Sequence, residues 1–175
     1  MRVAVAATGV AVLVLAVPVS AAPPGRPLVA SLRTLPPPSK LPDHFRSSLS
    51  PLAAHVGITP AVALQRTRLL LRNVTGLPLY AFAGTGGRIC FVLWPGGGTC
   101  GEVSASHDVV WLVNGGNQQA WEVVVGVVSD RVRAVDVTIR GKLIRASVRH
   151  NAFFVPFRSL RGARLPLPVV RPIKP

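Results

Sequence analysis

The residues whose types could support hydrolysis lie near the middle of the chain, where Ser104 and Ser106 precede the dipeptide His107-Asp108. Ser, His and Asp are the residue types of a catalytic triad, but the members of a triad converge from separate elements. Neighbours on one strand point to opposite faces, and no GxSxG or SxxK motif accompanies these serines. We therefore expect a non-enzymatic binding or structural module and keep a secreted hydrolase, with a site near His107 or Glu102, as the alternative.

Other catalytic and cofactor-binding patterns are not found in the sequence. The four His residues occur singly, without HxH or HExxH spacing, so we predict no metal site. A glycosidase would need two convergent carboxylates among only six Asp and Glu residues. Neither Gly-rich stretch, residues 84–87 or 96–98, is followed by GK[ST], so we predict turns there and no cofactor.

Cys90 and Cys100 are the two cysteines of the chain and flank the glycines at residues 96–98. In an exported protein the expected state of such a pair is a disulfide. Closing so short a loop would stabilise the fold by about 2–3 kcal/mol on the chain-entropy model. Two redox-active thiols are the competing interpretation, which the absence of CxxC spacing disfavours.

Trp94 is the candidate ligand contact, because it stands beside Pro95 and the glycine turn. An exposed aromatic ring at a loop tip can stack on a sugar or a partner protein, which gives a more specific hypothesis: a carbohydrate-binding or peptide-binding module. Trp121 leads into a run that is apolar at nearly every position, and we expect it in the core.

Residues 1–21 have the features of a secretory signal peptide. Arg2 supplies the positive charge, residues 3–17 form the apolar run, and Val19-Ser20-Ala21 is a small-residue cleavage site. The apolar run is shorter than the roughly 20 residues that cross a bilayer, so an uncleaved membrane anchor is the minority interpretation. The sequence predicts an exported protein, either secreted or associated with the cell envelope.

The segment after the signal peptide is predicted to carry little regular structure. Residues 22–42 are interrupted by seven prolines and are predicted to be an extended Pro-rich spacer. Residues 43–68 are predicted to be a short helical segment, with Asp43 capping a first helix that Pro51 interrupts. The pair Thr59-Pro60 has the residue types that open a second helix.

Residues 69–157 are predicted to be a mainly β domain, either a small antiparallel sandwich or a partly closed sheet. Its clearest pattern is a hairpin in which apolar residues occupy every second position of two runs. We predict a two-residue loop at Gly141-Lys142 that places Ile139 opposite Ile144. Asp136 would then face Arg145 or Arg149 across the hairpin. The apolar positions are Val135, Val137 and Ile139 in the first run and Ile144, Ala146 and Val148 in the second.

The positive charge of the chain lies mostly in its flanks. The formal net charge is +14, and residues 158–175 are predicted to be a basic, Pro-rich and loosely ordered tail. A nucleic-acid-binding protein typically gathers its cations on one face of the folded domain, whereas the cations of this chain lie mostly in its flanks. We therefore expect no sequence-specific nucleic-acid partner. The expected partners are an anionic cell-envelope polymer or lipid surface, or a protein not identified by the sequence. The alternative is that the charge serves only solubility.

Four stretches in succession carry a resemblance: LYAFAGTGGRIC, then TCG, then VVVGVVSDRVRAVDVTI, then VRHNAFFV. They are similar to a group of exported β-rich proteins of high-GC Gram-positive bacteria, of actinobacterial type, which have no assigned function. The resemblance covers about residues 66–156. Ser129 stands where such proteins usually carry Pro, and His150 where they usually carry Asp. The resemblance implies an exported β-rich domain with a Cys90–Cys100 bridge, and it implies no activity.

Overall fold

The structure is a computed structural model that describes residues 29–104, 106–114, 121–158 and 167–175, with only the backbone of Trp121. Within these residues the chain forms three helices followed by ten strands. The helices are α1 (Ser31–Thr34), α2 (Phe45–His55) and α3 (Pro60–Arg66). The strands are β1 (Arg68–Val74), β2 (Leu77–Ala83), β3 (Arg88–Leu93), β4 (Gly98–Glu102), β5 (Val109–Asn114), β6 (Trp121–Val128), β7 (Ala134–Ile139), β8 (Lys142–Ser147), β9 (Ala152–Arg158) and β10 (Val169–Ile173).

The strands form three antiparallel sheets. Sheet A has the order β1-β2-β3-β4, sheet B the order β5-β6-β9, and sheet C the order β10-β7-β8. Within the described residues the sheets are not closed, and the short helices precede them in sequence. The predicted fold class, a mainly β protein with antiparallel sheets after a short helical segment, is confirmed.

The sheets stack as successive layers with a hydrophobic core between each pair. Helices α2 and α3 cover one face of sheet A, where Phe45 and Leu49 pack with Phe82 and Val92 in the first core. The second core lies between sheets A and B, and the third between sheets B and C. Each fully buried aliphatic or aromatic side chain contributes about 1.5–3 kcal/mol, so these cores supply the main driving force for folding.

Strand β6 is buried on both faces, which explains its nearly continuous run of valines. Val125 packs into the second core and Val124 into the third. Gly126 interrupts the run because β5 and β9 approach it closely. A Cβ atom there would lie 2.5 Å from the carbonyl oxygen of Val110 and 2.6 Å from the ring of Phe153.

The predicted hairpin is β7–β8, but its turn lies one residue earlier than predicted. The loop residues are Arg140 and Gly141, with φ values of 52° and 75°, and Val137 lies opposite Ile144. Positive φ at both positions defines a type I′ turn, the type that matches strand twist best. The pairing therefore shifts by two residues, which leaves the apolar side chains on the same face. Asp136 pairs with Arg145, one of its two predicted partners, at 2.9 Å.

The helical segment agrees with the prediction at its second helix and differs at its first. Oγ1 of Thr59 accepts a hydrogen bond from the backbone N–H of Val62 at 3.3 Å, so Thr59 is the expected N-cap. The prediction for α2 was wrong in two respects. His44, with φ of 59°, precedes the helix in place of a capping Asp43, and the helix continues through Pro51. The ring of Pro51 is on the exposed side, where water can solvate the carbonyl that loses its hydrogen bond.

The prediction of an extended spacer over residues 22–42 was wrong for the part that the structure describes from Val29 to Thr34. Val29 and Leu32 are buried in the second core, on either side of the start of α1. Oδ1 of Asn151 accepts hydrogen bonds from the backbone N–H of Ser31 at 3.0 Å and from its hydroxyl at 2.7 Å. Residues 1–28, which include the predicted signal peptide, lie outside the described residues.

The prediction of a loosely ordered tail was also wrong where the structure describes it. Strand β10 pairs with β7 along its whole length, and Pro172 lies opposite Val135. Proline cannot donate to a sheet ladder, and it is tolerated here because β10 is the outer strand of sheet C. Residues 159–166 lie outside the described part of the chain.

Candidate functional site

The loop between β4 and β5 brings the two candidate serines to His107. The Oγ atoms of Ser104 and Ser106 lie 3.4 Å and 3.1 Å from Nδ1 of His107. His107 and Glu102 line an adjacent open hollow of about 330 Å³. Sequence neighbours thus do converge around one imidazole nitrogen, in a loop whose sharp turns override the alternation expected of a strand.

Asp108 does not complete a triad, because its carboxylate is bound to other residues. Oδ1 accepts hydrogen bonds from the hydroxyl of Ser129 at 2.7 Å and from the guanidinium of Arg131 at 2.8 Å. Oδ2 pairs with the ammonium of Lys174 at 2.6 Å. The side chain is 5% exposed, so it faces the interior between the start of β5 and the end of β10.

The environment of Asp108 stabilises the charged carboxylate. Burial by itself raises the pKa of this group, but hydrogen bonds from Lys174, Ser129 and Arg131 outweigh burial and lower the pKa to about 2. A carboxylate with so low a pKa is a poor base. Its chemistry is that of a structural ion pair that joins the last strand of the chain to the body of the protein.

Cys90 and Cys100 form the predicted disulfide. They lie directly opposite each other on β3 and β4, with their Cα atoms 4.0 Å apart. Cys90 is fully buried beneath α2, and both sulfur atoms lie close to the carbonyl oxygen of Leu52, at 3.6 Å and 3.7 Å. The bridge is thus part of the first core, which supports the structural role over a redox role.

The candidate ligand contact Trp94 is shared between the core and the surface. Its side chain is half-buried, and its ring meets the ring of Phe45 at a centroid distance of 5.5 Å in an edge-on arrangement. Phe45 in turn contacts the ring of Tyr80 at 4.9 Å. Part of the indole is therefore used in packing α2 against sheet A. The side chain of Trp121, predicted to be in the core, lies outside the described residues.

A second concave surface, which we call the basic groove, opens between the segment that follows α1 and the outer strand of sheet A. Its volume is about 690 Å³. One wall is formed by residues 35–40, which include three consecutive prolines, and the other by residues 69–72 of β1. Tyr80 and the turn at residues 149–150 complete the lining.

Four basic side chains line the basic groove: Lys40, Arg72, Arg149 and His150. No Asp or Glu is among the described residues that line it. These four side chains are exposed and form no hydrogen bond or ion pair with the described part of the chain. A concave surface with charges of one sign focuses the electrostatic potential, so the groove can concentrate anions.

Sequence reasoning did not find the basic groove. Its cations come from three segments that are distant in the chain: the Pro-rich segment, β1 and the turn before β9. The available signal was the excess of Arg and Lys, most of which lies in the Pro-rich flanks of the sequence. The hydrogen bonds between Ser31 and Asn151 bring the first and third of these segments together, and no local pattern encodes that contact.

The described residues contain no group of three or more His, Cys, Asp or Glu side chains placed to bind a metal ion. No single helix in the described ranges has the length and hydropathy of a membrane span. Helices α2 and α3 meet those criteria only when taken together across a bend of 104°.

The fold and these sites define a disulfide-bonded, mainly β protein of layered antiparallel sheets with a basic groove along one outer strand. When the chain was compared with protein-family models, curated protein sequences and solved structures, none of the three comparisons gave a match. The resemblance to exported actinobacterial proteins therefore stays an expectation.

Proposed function

We propose that the protein is an exported, non-enzymatic binding module, secreted or associated with the cell envelope, that holds an anionic ligand in the basic groove. The observation that carries the proposal is the presence of Lys40, Arg72, Arg149 and His150 around one cavity of about 690 Å³ without a lining carboxylate. Phosphate and carboxylate groups are the ligand chemistry that such a surface attracts. An anionic envelope polymer and an anionic lipid surface both carry these groups.

Two observations support an exported location. The N-terminal residues have the composition of a signal peptide, and the disulfide is typical of an oxidising compartment. If the full chain is expressed in an actinobacterial host, we expect the mature protein in the envelope or medium fraction, beginning at Ala22. Recovery of the full-length chain from the cytosol with Met1 at its N-terminus would contradict this part of the proposal.

The binding proposal is tested by neutralising the groove. In the triple variant K40Q/R72Q/R149Q, retention on polyphosphate beads and on phosphatidylglycerol vesicles should fall, because three cations are removed from one concave surface. The two supports distinguish a phosphate-bearing polymer from a lipid headgroup as the source of the ligand. For the unmodified protein, retention on the preferred support should decrease steeply with salt, since the Debye length is only about 8 Å at 0.15 M ionic strength.

A matched control is available on sheet C. Arg133, Lys142 and Arg171 are exposed and lie on or beside the strands of that sheet. The variant R133Q/K142Q/R171Q has the same net charge as the groove variant. Equal loss of retention in the two variants would show that total charge, rather than the basic groove, is responsible.

The hydrolase near His107 and Glu102 is the second candidate, and one observation favours it. The hydroxyl of Ser106 lies 3.1 Å from Nδ1 of His107 at the edge of a hollow, which is the contact of a nucleophile with its base. The candidate lacks the orienting carboxylate of Asp108, which is bound to Ser129, Arg131 and Lys174. Esterase activity that S106A abolishes and S129A preserves would establish it.

A further inference from the structure

One wall of the basic groove is the backbone edge of a strand. Residues 69–72 of β1 are consecutive, and all four line the groove. Leu69 packs in the first core, whereas Leu70 and Leu71 both pack in the second, because the pairing of β1 with β2 shifts register between Leu69 and Leu71. A surface that is lined by residues from both faces of one strand includes the main chain of that strand. Because β1 is an outer strand of sheet A, bonded to β2 on one side, that main chain faces the cavity.

The opposite wall cannot pair with this edge as a regular strand. Pro36, Pro37 and Pro38 have no backbone N–H and hold their φ angles near −65°, so they offer ring surface and carbonyl oxygens instead. The cavity between the two walls separates β1 from the proline segment. Main-chain donors and acceptors of β1 are thus presented to whatever occupies the groove.

We propose that the ligand of the basic groove is an acidic peptide segment in extended conformation, which pairs with β1 as an additional strand of sheet A. This inference rests on the proposed function, because it specifies the ligand of the same groove. Strand addition takes its affinity from main-chain hydrogen bonds and its specificity from sites for alternate side chains. Lys40, Arg72 and Arg149 supply the charge complementarity, while Leu35 and Leu71 offer apolar contacts.

The combination of features favours a peptide over a phosphate or sugar polymer. Such a polymer would use the cations but would leave the amide and carbonyl groups of β1 without strand-like partners. An acidic peptide in extended conformation would pair with the cations through its side chains and with the amide and carbonyl groups of β1 through its main chain. Residues 69–72 span at most about 13 Å at 3.3 Å per residue, and the register shift between Leu69 and Leu71 makes this edge irregular, so the groove would pair with no more than about four residues of the ligand.

The experiment uses the mature chain, residues 22–175, and a capped decapeptide of alternating Glu and Val. Two methylated copies of the peptide are compared with the parent. In the first, the backbone amides of all Glu residues are N-methylated, and in the second, those of all Val residues. The amides of alternate residues point to opposite edges of an extended strand, and only one edge can pair with β1. We expect one methylated copy to bind at least about tenfold more weakly and the other to stay within about twofold of the parent peptide. Amide exchange should slow at residues 69–72 when the parent peptide binds.

The outcomes separate this inference from the proposed function. If both methylated copies bind like the parent and polyphosphate competes with them, strand addition is overturned and an anion-binding groove remains. If K40Q/R72Q/R149Q binds the peptide and polyphosphate as well as the unmodified protein does, both proposals fall. Three results together support both proposals. K40Q/R72Q/R149Q binds the peptide more weakly, R133Q/K142Q/R171Q binds it fully, and only one of the two methylated copies loses affinity.

Discussion

Lys174 and Asp108 join the end of the chain to the start of β5, with the ammonium nitrogen 2.6 Å from Oδ2 of the carboxylate. Arg131 and Ser129 bind the other oxygen of the same carboxylate, so β10 is held by a charge cluster as well as by its ladder with β7. The carboxyl group that the sequence placed nearest to a catalytic triad is thus a structural element of the fold.

Replacing Asp108 by Asn should destabilise the protein. The change removes the charge that Lys174 and Arg131 neutralise, and the cost is about 1–3 kcal/mol because both cations are half exposed and regain hydration. The free energy of unfolding, measured in urea, checks this value. Asp136→Asn is the matched control, since its pair with Arg145 lies at the surface, and we expect a smaller loss. An equal loss in both variants would show that the Asp108 cluster has no special role.

The same cluster should make stability depend on acid pH. The pKa of Asp108 is lowered from 3.8 to about 2 in the folded protein, because the hydrogen bonds from Lys174, Ser129 and Arg131 outweigh the effect of burial. A lowered pKa contributes stability that is present above pH 3.8 and is lost as the pH falls through about 2. We estimate this contribution at on the order of 1–2 kcal/mol after allowing for solvent screening at the two cations. Urea unfolding at pH 5, 4, 3 and 2 should therefore show a steeper decline for the unmodified protein than for Asp108→Asn. If the free energy of unfolding of the two proteins declined in parallel with falling pH, Asp108 would not be the source of the acid sensitivity.

Removing the disulfide should weaken the first core without changing the fold class. The double variant C90A/C100A loses a cross-link of ten residues' separation, which corresponds to about 2–3 kcal/mol on the chain-entropy model. Guanidinium unfolding of this variant, compared with the reduced and oxidised forms of the unmodified protein, measures the effect. Equal stability of the reduced and oxidised forms would mean that the bridge does not constrain the unfolded chain.

Replacing Gly126 by Ala should disrupt sheet B. The added Cβ would lie 2.5 Å from a backbone oxygen of β5, so the strands have to separate, at a cost of about 1–3 kcal/mol or more. Gly97→Ala is a suitable control, because its Cβ would make only an ordinary contact of 3.5 Å with Asn114. Thermal unfolding of both variants tests the prediction, and similar melting temperatures would show that β5 and β9 can move apart freely.

The strand pattern of this protein could be read from its sequence because the signal is local. Alternation of apolar residues predicts β7 and β8, and the glycines between the cysteines predict the turn that pairs β3 with β4. The register of β7–β8 could not be read in the same way. A shift of two residues keeps the same side chains in the core, so the hydrophobic pattern does not distinguish the two pairings. The positive φ at Arg140, which selects the observed turn, is uncommon for residues other than Gly, Asn and Asp.

The sequence by itself determined the mainly β class, the disulfide, the N-cap at Thr59 and an ion pair of Asp136 across the hairpin. Each depends on residues that are close in the chain or on a repeating pattern. Only the tertiary structure decided that α1 and β10 are ordered, since Val29 and Leu32 are held by a distant core and Lys174 by Asp108. It also decided where the cations gather. Lys40, Arg72 and Arg149 come together because sheet packing and the Ser31–Asn151 contact join segments more than a hundred residues apart, and contacts at that separation leave no periodic trace in the sequence.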